Sequence, residues 1–407
     1  MTAPGQTLPE TPPPAQPFTL LFLAIMSMVL GQTLVFTLLP LLGREVGLKE
    51  LQVGIIITLS SAVYALAARF WGRQSDVWGR RRVILLGLSG YTAGTLLFAG
   101  LFWTGMVGWL QGLMLWTCLV VARCLQSLVM AGTMPAANAY ICDITTPATR
   151  TAGLARLGAA NSTGTIIGPA CGGLLAAISL LAPLLFAAAI TGICLLLMAW
   201  RLPESPRHDT GDGDSARINL GYNDPRYRRV LMIAVAMLVA YSVVQQTLAF
   251  YFQDTLHLDS QAAARQVGFA LMLSAAVALV AQAVLVQRLH WSPARLTFWG
   301  MASLVAGSVV LGVAGSIGGL YLGVGLCGLG IGLAFPACLA LASLAVGPAE
   351  QGALAGLTSA VPALGSIIGP VLGTGLYQVH PHLPYLANAV LLLPMLWLSW
   401  QLQRRPH

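Results

Sequence analysis

Three clusters of residues in this chain have types and spacings that could do chemistry. The first is a single arginine inside an otherwise uncharged apolar stretch, within Arg123-Cys-Leu-Gln126-Ser127. Placing a guanidinium in a hydrocarbon-facing helix costs about 2.5–3.5 kcal/mol on insertion scales, so such a residue faces a protein interior and is a functional candidate. The second is Gly72-Arg-Gln-Ser-Asp76-Val-Trp-Gly79-Arg80-Arg81-Arg82, a tight glycine turn with one carboxylate and a knot of guanidiniums. Membrane topology alone would account for the arginines but leaves Asp76 unexplained. The third is Gly164-x-x-x-Gly168-Pro169-x-x-Gly172-Gly173, whose glycines four apart make a flat helix face and whose proline removes a backbone donor.

Other chemistries fall away. The seven cysteines all lie in or at the edge of apolar blocks, with no CxxC pair and no histidine close by, so disulfide and zinc readings fail. Gly323-Val-Gly325-Leu-Cys-Gly328 spells a dinucleotide fingerprint but sits inside an apolar block with no strand before it. The one lysine, Lys49, is followed by Glu50, so there is no Walker loop. The expectation is a chain that is not an enzyme and uses no cofactor or metal.

The elements that must hold these clusters are membrane helices. Of 407 residues, 57% are hydrophobic and only 8% charged, where a soluble domain carries about a quarter charged. The stretch from Phe18 to Gly43 has no charge and would run about 39 Å as a helix, enough to cross a hydrocarbon core about 30 Å thick. Twelve such spans are expected, at 18–42, 51–71, 83–103, 108–137, 153–177, 179–201, 230–253, 266–287, 295–314, 317–346, 352–377 and 384–402. The net charge of +8 comes from arginines in the loops rather than a stripe among exposed aromatics, which argues against nucleic acid. With both termini cytoplasmic, inside segments hold seventeen basic residues and outside segments only Arg44, Lys49 and Arg265, so the positive-inside rule selects that orientation. Met1–Pro17 is Pro-rich with no basic residue, so it is a cytoplasmic tail ahead of an uncleaved first span rather than a secretory signal.

The stretch 204–227 is rich in Pro, Gly, Asp and Arg and divides the spans six and six as a cytoplasmic linker. It separates a bundle at 18–203 from a second at 228–403, leaving 404–407 as a cytoplasmic tail. The halves repeat one another. Gly164-Thr-Ile-Ile-Gly168-Pro169-Ala-Cys-Gly172 recurs 201 residues later as Gly365-Ser-Ile-Ile-Gly369-Pro370-Val-Leu-Gly373, and at the same offset Pro135 meets Pro336 and Pro147 meets Pro348.

With the loop after span two, the chain resembles the major facilitator superfamily, whose signature there is G-x-x-x-D-x-x-G-R-[RK]. The span-four arginine and the span-five motif narrow the resemblance to its twelve-span drug/proton antiporters, and it covers nearly the whole chain. The resemblance implies an all-α membrane protein of two pseudo-symmetric six-helix bundles in a bacterial-type inner membrane. It implies a monomeric exporter of small organic molecules (drugs, or a self-made metabolite such as a siderophore) driven by protons through alternating access. Import of a small metabolite or siderophore is the alternative, which the span-five motif disfavours. Gly72, Asp76, Gly79 and Arg80 would form a conformational latch with Asp143 at the end of span four. Arg123 would serve coupling, and Gly164, Gly168, Pro169, Gly172 and Gly173 would form the antiporter motif. Two departures stand out: the loop Gln287–Arg295 lacks the carboxylate and glycines of a second latch, and span one offers Gln32 where many relatives carry an acid.

Mid-span polar and aromatic residues are the candidates for a binding site between the halves. They are Gln32, Asn138, Asn161, Tyr241, Gln245, Gln246, Phe250, Gln282 and Asn388, with the adjacent Gln245 and Gln246 favoured because both cannot face lipid cheaply. A lining without acids suits neutral, zwitterionic or anionic cargo better than strongly cationic cargo. The orientation is tested by reporter fusion: a reporter after Tyr227 reads cytoplasmic and one near Asp259 reads external, and the opposite pair reverses every sided assignment.

Overall fold

The computed structural model describes residues 15–205, 221–347 and 350–404. Arg207, Arg217, Pro348, Arg405 and most of the expected N-terminal tail and linker lie outside the described residues. The described helices group into twelve passes. The N-terminal half contains α1 (Ala15–Glu45), α2 (Glu50–Trp78), α3 (Arg80–Val107), α4 (Gly112–Met130), α5 (Thr133–Ile144), α6 (Pro147–Ala176) and α7 (Ala182–Arg201). The C-terminal half contains α8 (Arg228–Leu256), α9 (Ser260–Val280), α10 (Val286–Leu289), α11 (Pro293–Val313), α12 (Ile317–Leu344), α13 (Gln351–Ser359), α14 (Val361–Val379) and α15 (Leu383–Arg404).

Three crossings are interrupted where the sequence suggested continuous spans. The fourth is α4 plus α5, broken at Ala131–Gly132, and the eleventh is α13 plus α14, broken at Ala360. Each break is followed within a turn by a proline, Pro135 or Pro362, whose missing N–H is tolerated in the first turn of a new helix. The eighth crossing is α9 continued through a π-helical turn, Ala281–Leu285, into α10. Among the described residues, eleven helical segments are long and apolar enough to cross a membrane, and α6 is outside that set. Its first half carries Arg150, Arg156, Asn161 and Ser162, all exposed, so that half faces polar space as well as neighbouring helices.

The internal repeat is a repeat of contacts. Gly164, Gly168 and Gly172 lay α6 against α1, where added Cβ atoms would meet Met26 O, Leu30 O and the Leu34 side chain at 2.8, 2.7 and 3.2 Å. Gly365, Gly369 and Gly373 lay α14 against α8 in the same way, over Leu238, Ser242 and Val243. Small residues allow this approach, which in hydrocarbon is the main source of helix–helix attraction. The outer surface keeps large apolar side chains exposed, Leu66 at 74% and Trp200 at 79% among them, as a lipid-facing surface does.

The linker's end is tied to the C-terminal half at an exposed cluster. Arg226 donates to Asp224 Oδ2 and to Glu350 Oε2, each at 2.8 Å. The guanidinium holds both carboxyls below their ordinary range. The cluster is therefore complete above that range and dissolves as pH falls through the lowered values.

Glycine packing makes a paired prediction. Gly164→Ala lowers the thermal midpoint in detergent, because its Cβ meets backbone on a rigid neighbour, at the about 1–3 kcal/mol typical of overpacking. Gly158→Ala on the same helix, where nothing lies within 4 Å, leaves the midpoint unchanged or raises it.

Candidate functional site

Residues of the expected latch meet at the face where α1 begins, hereafter the linker face. Gly79 joins α2 to α3 at φ 98°, a left-handed conformation that L side chains rarely adopt, and its added Cβ would fall 2.5 Å from Glu204 Oε1. Arg80, the first residue of α3, pairs with Asp76, takes Ser75 Oγ at 2.7 Å from Nη1 and reaches Asp143 Oδ2 from Nε at 3.3 Å. Ser205 donates to the same Asp143 oxygen at 3.0 Å, and Tyr140 donates to Pro203 O at 3.0 Å. The turn, the end of α5 and the start of the linker thus form one polar knot. Among the described residues, the hydrogen-bond and ion-pair partners of Asp76, Arg80 and Asp143 lie in the N-terminal half or the first linker residues. At Gly72 an added Cβ would meet only Pro135, at 3.9 Å, so nothing in this conformation requires a glycine there.

Between the halves lies a cavity in two parts. The larger, about 250 Å³, is built from Gln32 and Phe36 of α1, Ser60, Ser61 and Tyr64 of α2, Arg123 and Ser127 of α4, and the α13–α14 segment from Ser359 to Ser366. Arg123 is 2% exposed. Its Nη1 donates to Gln126 Oε1 at 2.6 Å, and its guanidinium lies 5.4 Å from the Phe36 ring centroid and 5.8 Å from that of Phe98. Gln126 is held in turn by α3, donating through Nε2 to Tyr91 O at 3.0 Å and Thr95 Oγ1 at 2.7 Å. The Nε of Arg123 has no acceptor.

The smaller part, about 60 Å³, is lined by Thr33, Phe36 and Thr37 of α1, Thr165 and Pro169 of α6, Tyr241, Gln245 and Gln246 of α8, and Leu271 and Ala275 of α9. Tyr241 OH and Ser274 Oγ lie 3.3 Å apart, and the buried Gln246 Oε1 has no partner. Of the expected binding residues, the structure brings Gln32, Tyr241, Gln245 and Gln246 to these walls. Phe250 and Asn138 line neither part. Phe250 is buried near the opposite end of α8, with Arg44 4.7 Å over its ring, and Asn138 is exposed on α5. Asn388 is buried and bonded to Ala240 O at 2.8 Å, while Asn161 and Gln282 are exposed.

The sequence did not reveal the seal at the face opposite the linker. Arg44, at the end of α1, donates to Asp254 Oδ1 at 2.6 Å and to Glu50 Oε1 at 2.8 Å. Tyr377 donates to Asp254 Oδ2 at 2.7 Å, and Ser260 donates to Glu45 in a short bond. Arg44 and Asp254 are 210 residues apart, so only the packing of one half on the other shows them as partners. Behind the ion pairs, Gly54 of α2 sits on Pro370 O of α14 and Gly268 of α9 sits on Pro169 O of α6, with added Cβ atoms at 2.8 and 2.5 Å. Thr58 Oγ1 donates across the first seam to Ile367 O at 2.7 Å. Gly158 of α6 and Gly352 and Gly356 of α13, toward the linker face, have nothing within 4 Å. The contacts between halves named here lie toward the face opposite the linker.

A twelve-crossing bundle of two similar halves around a polar central cavity is the architecture of a secondary transporter. The model for the Major Facilitator Superfamily matches residues 21–361, and the chain belongs to that family. It is 27% identical to multidrug resistance protein 2 of Bacillus subtilis (strain 168), over 93% of this chain and 94% of that protein. It is 29% identical to the class C tetracycline resistance protein of Escherichia coli, over 85% and 86%. In fold it is similar to a bacterial homologue of the human lysosomal transporter Spinster, with TM-score 0.75 at 14% identity over 96% and 97% of the two chains. The nucleoside transporter NupG gives TM-score 0.75 at 13% identity over 95% and 98%.

The seal can be probed directly. Arg44→Gln removes the cation shared by Asp254 and Glu50, and labelling of an introduced Thr37→Cys by an impermeant maleimide applied to the sealed face rises several-fold. Unchanged labelling would mean the glycine seams hold that face without the ion pairs.

Proposed function

We propose that the chain is a proton-coupled exporter of small organic molecules, working as a monomer with both termini in the cytoplasm. The observation that supports this best is the shape of the central cavity, sealed by Arg44, Asp254 and Glu50 at one end and flanked by unpacked helix ends at the end that carries the arginine-rich loops. Under the positive-inside orientation this is the loading state of an exporter, closed to the outside. Export then requires the α6–α9 and α2–α14 seams to open outside while the linker-face ends close. The latch of Asp76, Arg80 and Asp143 would then meet the C-terminal half and hold that second state. The resistance names of the relatives favour drugs over a self-made metabolite such as a siderophore as cargo.

Energy is available for this cycle. One proton entering down 100 mV and one pH unit supplies about 2.3 plus 1.4 kcal/mol, which supports a gradient of a neutral solute of roughly 500-fold. The carboxylates near the path flank the cavity rather than line it: Asp254 and Glu50 in the outer seal, Asp76 and Asp143 in the latch. A proton arriving from outside reaches the seal first. Neutralising Asp254 weakens its hold on Arg44, so the outer face closes fully only once that proton has left, and coupling requires that it leave toward the cytoplasm.

Inside-out vesicles test both parts. Uptake of tetracycline under an imposed pH gradient is abolished by a protonophore, and Asp76→Asn lowers it at least tenfold while expression and insertion are unchanged. Protonophore-insensitive uptake by the wild type removes the proton, and wild-type uptake by Asp76→Asn reduces that loop to a topology signal.

A further inference from the structure

The surroundings of Arg123 carry more than a general transport role. The guanidinium is buried, lines the larger part of the cavity and has only a neutral side-chain hydrogen-bond partner. That partner cannot adapt, because both ends of the Gln126 amide are committed. Among the described residues no carboxylate lines either part of the cavity. A buried cation is stable only when paired or strongly hydrogen-bonded, and here the fold provides half of such an environment.

We infer that Arg123 is the seat for a singly charged anionic group, a carboxylate or sulfonate, on an otherwise apolar cargo. This rests on the reading of the cavity as the transport site. Phe36 and Phe98 lie against the guanidinium, while its Nε proton has no acceptor among the described residues, so a carboxylate or sulfonate finds a donor fork that pairs with two of its oxygens. Hydroxyls surround the position from both halves: Ser60, Ser61 and Ser127 from one, Ser359 and Ser366 from the other. A cargo that fills this cavity from Arg123 outward meets both halves at once, so its arrival biases how they sit together. The rest of the wall, including Phe36, Tyr64, Pro362 and Ala363, suits an apolar or aromatic body. A cationic amphiphile finds the opposite, since it must approach an uncompensated guanidinium with no acid to offset it.

Three probes of one shape decide the matter: 1-naphthylacetate, its neutral amide and 1-naphthylethylammonium. Their equilibrium binding to the full chain in nanodiscs is measured against empty nanodiscs, with no gradient applied. The wild type binds the anion at least tenfold tighter than the amide, and the ammonium most weakly. In Arg123→Gln the anion loses its advantage and binds no tighter than the amide. Arg123→Lys keeps the order with a narrower gap, and it carries the test if Arg123→Gln does not fold. Equal binding of all three probes by the wild type, preference for the ammonium, or an undiminished anion preference in either variant overturns the assignment. Anion-selective binding without gradient-driven export would instead sink the transport reading and leave the subsite standing, so the two failures are distinct.

Discussion

Helices in hydrocarbon gain little by burying apolar surface against one another, because lipid is as apolar as leucine. What holds this protein together is the close approach of backbones, and one motif supplies it on two fronts. Gly164, Gly168 and Gly172 seat α6 on α1, while Gly173 and Pro169 of the same helix meet α9 across the molecule's midline. The copy at Gly365 to Gly373 seats α14 on α8, and Pro370 meets Gly54 of α2 across the midline. The bonds within each half and the seams between halves thus come from adjacent faces of the same two helices. Any change of crossing angle between the halves has to run through them.

The site is built on this frame as a set of unequal charges. Acids and bases pair at both ends of the molecule, Arg44 with Asp254 and Glu50 and Arg80 with Asp76 and Asp143. In the middle they do not pair, because Arg123 faces a cavity lined by hydroxyls, amides and rings. A charge left over at the centre is costly, and ligands of complementary sign relieve that cost, which is the basis of the anion seat proposed for Arg123. The paired ends act differently. Each is a small set of bonds that one added proton or one changed contact can weaken, which is how a two-state machine is biased without remodelling its core.

Much of the frame was legible from residues alone. Uncharged runs of membrane-spanning length, loop arginines and the 201-residue repeat describe twelve crossings in two related halves. They do so because lipid forces every backbone group into a helix and leaves a strong periodic record. Local breaks were not legible: α4 stops before Ala131–Gly132 and α13 before Ala360, each with a proline within the next turn, and neither break interrupts the apolar run. Phe250 has the same character as Phe36, yet one is buried beneath Arg44 and the other forms the cavity wall. Which face of a helix turns inward depends on its neighbours.

By itself the sequence determined the helical class, the crossings, the repeat and the identity of Arg123 as an interior charge, since each follows from the cost of polar groups in lipid. Tertiary structure decided who meets whom. Arg44 became a partner of Asp254 across 210 residues, Gln126 became the fixed support of Arg123, and Ser359 and Ser366 came to share a cavity with α4. These pairings depend on how two bundles dock and on which end they close. That docking is set by small-residue seams whose energy lies in distances of a few ångströms, and residue order along the chain does not encode those distances.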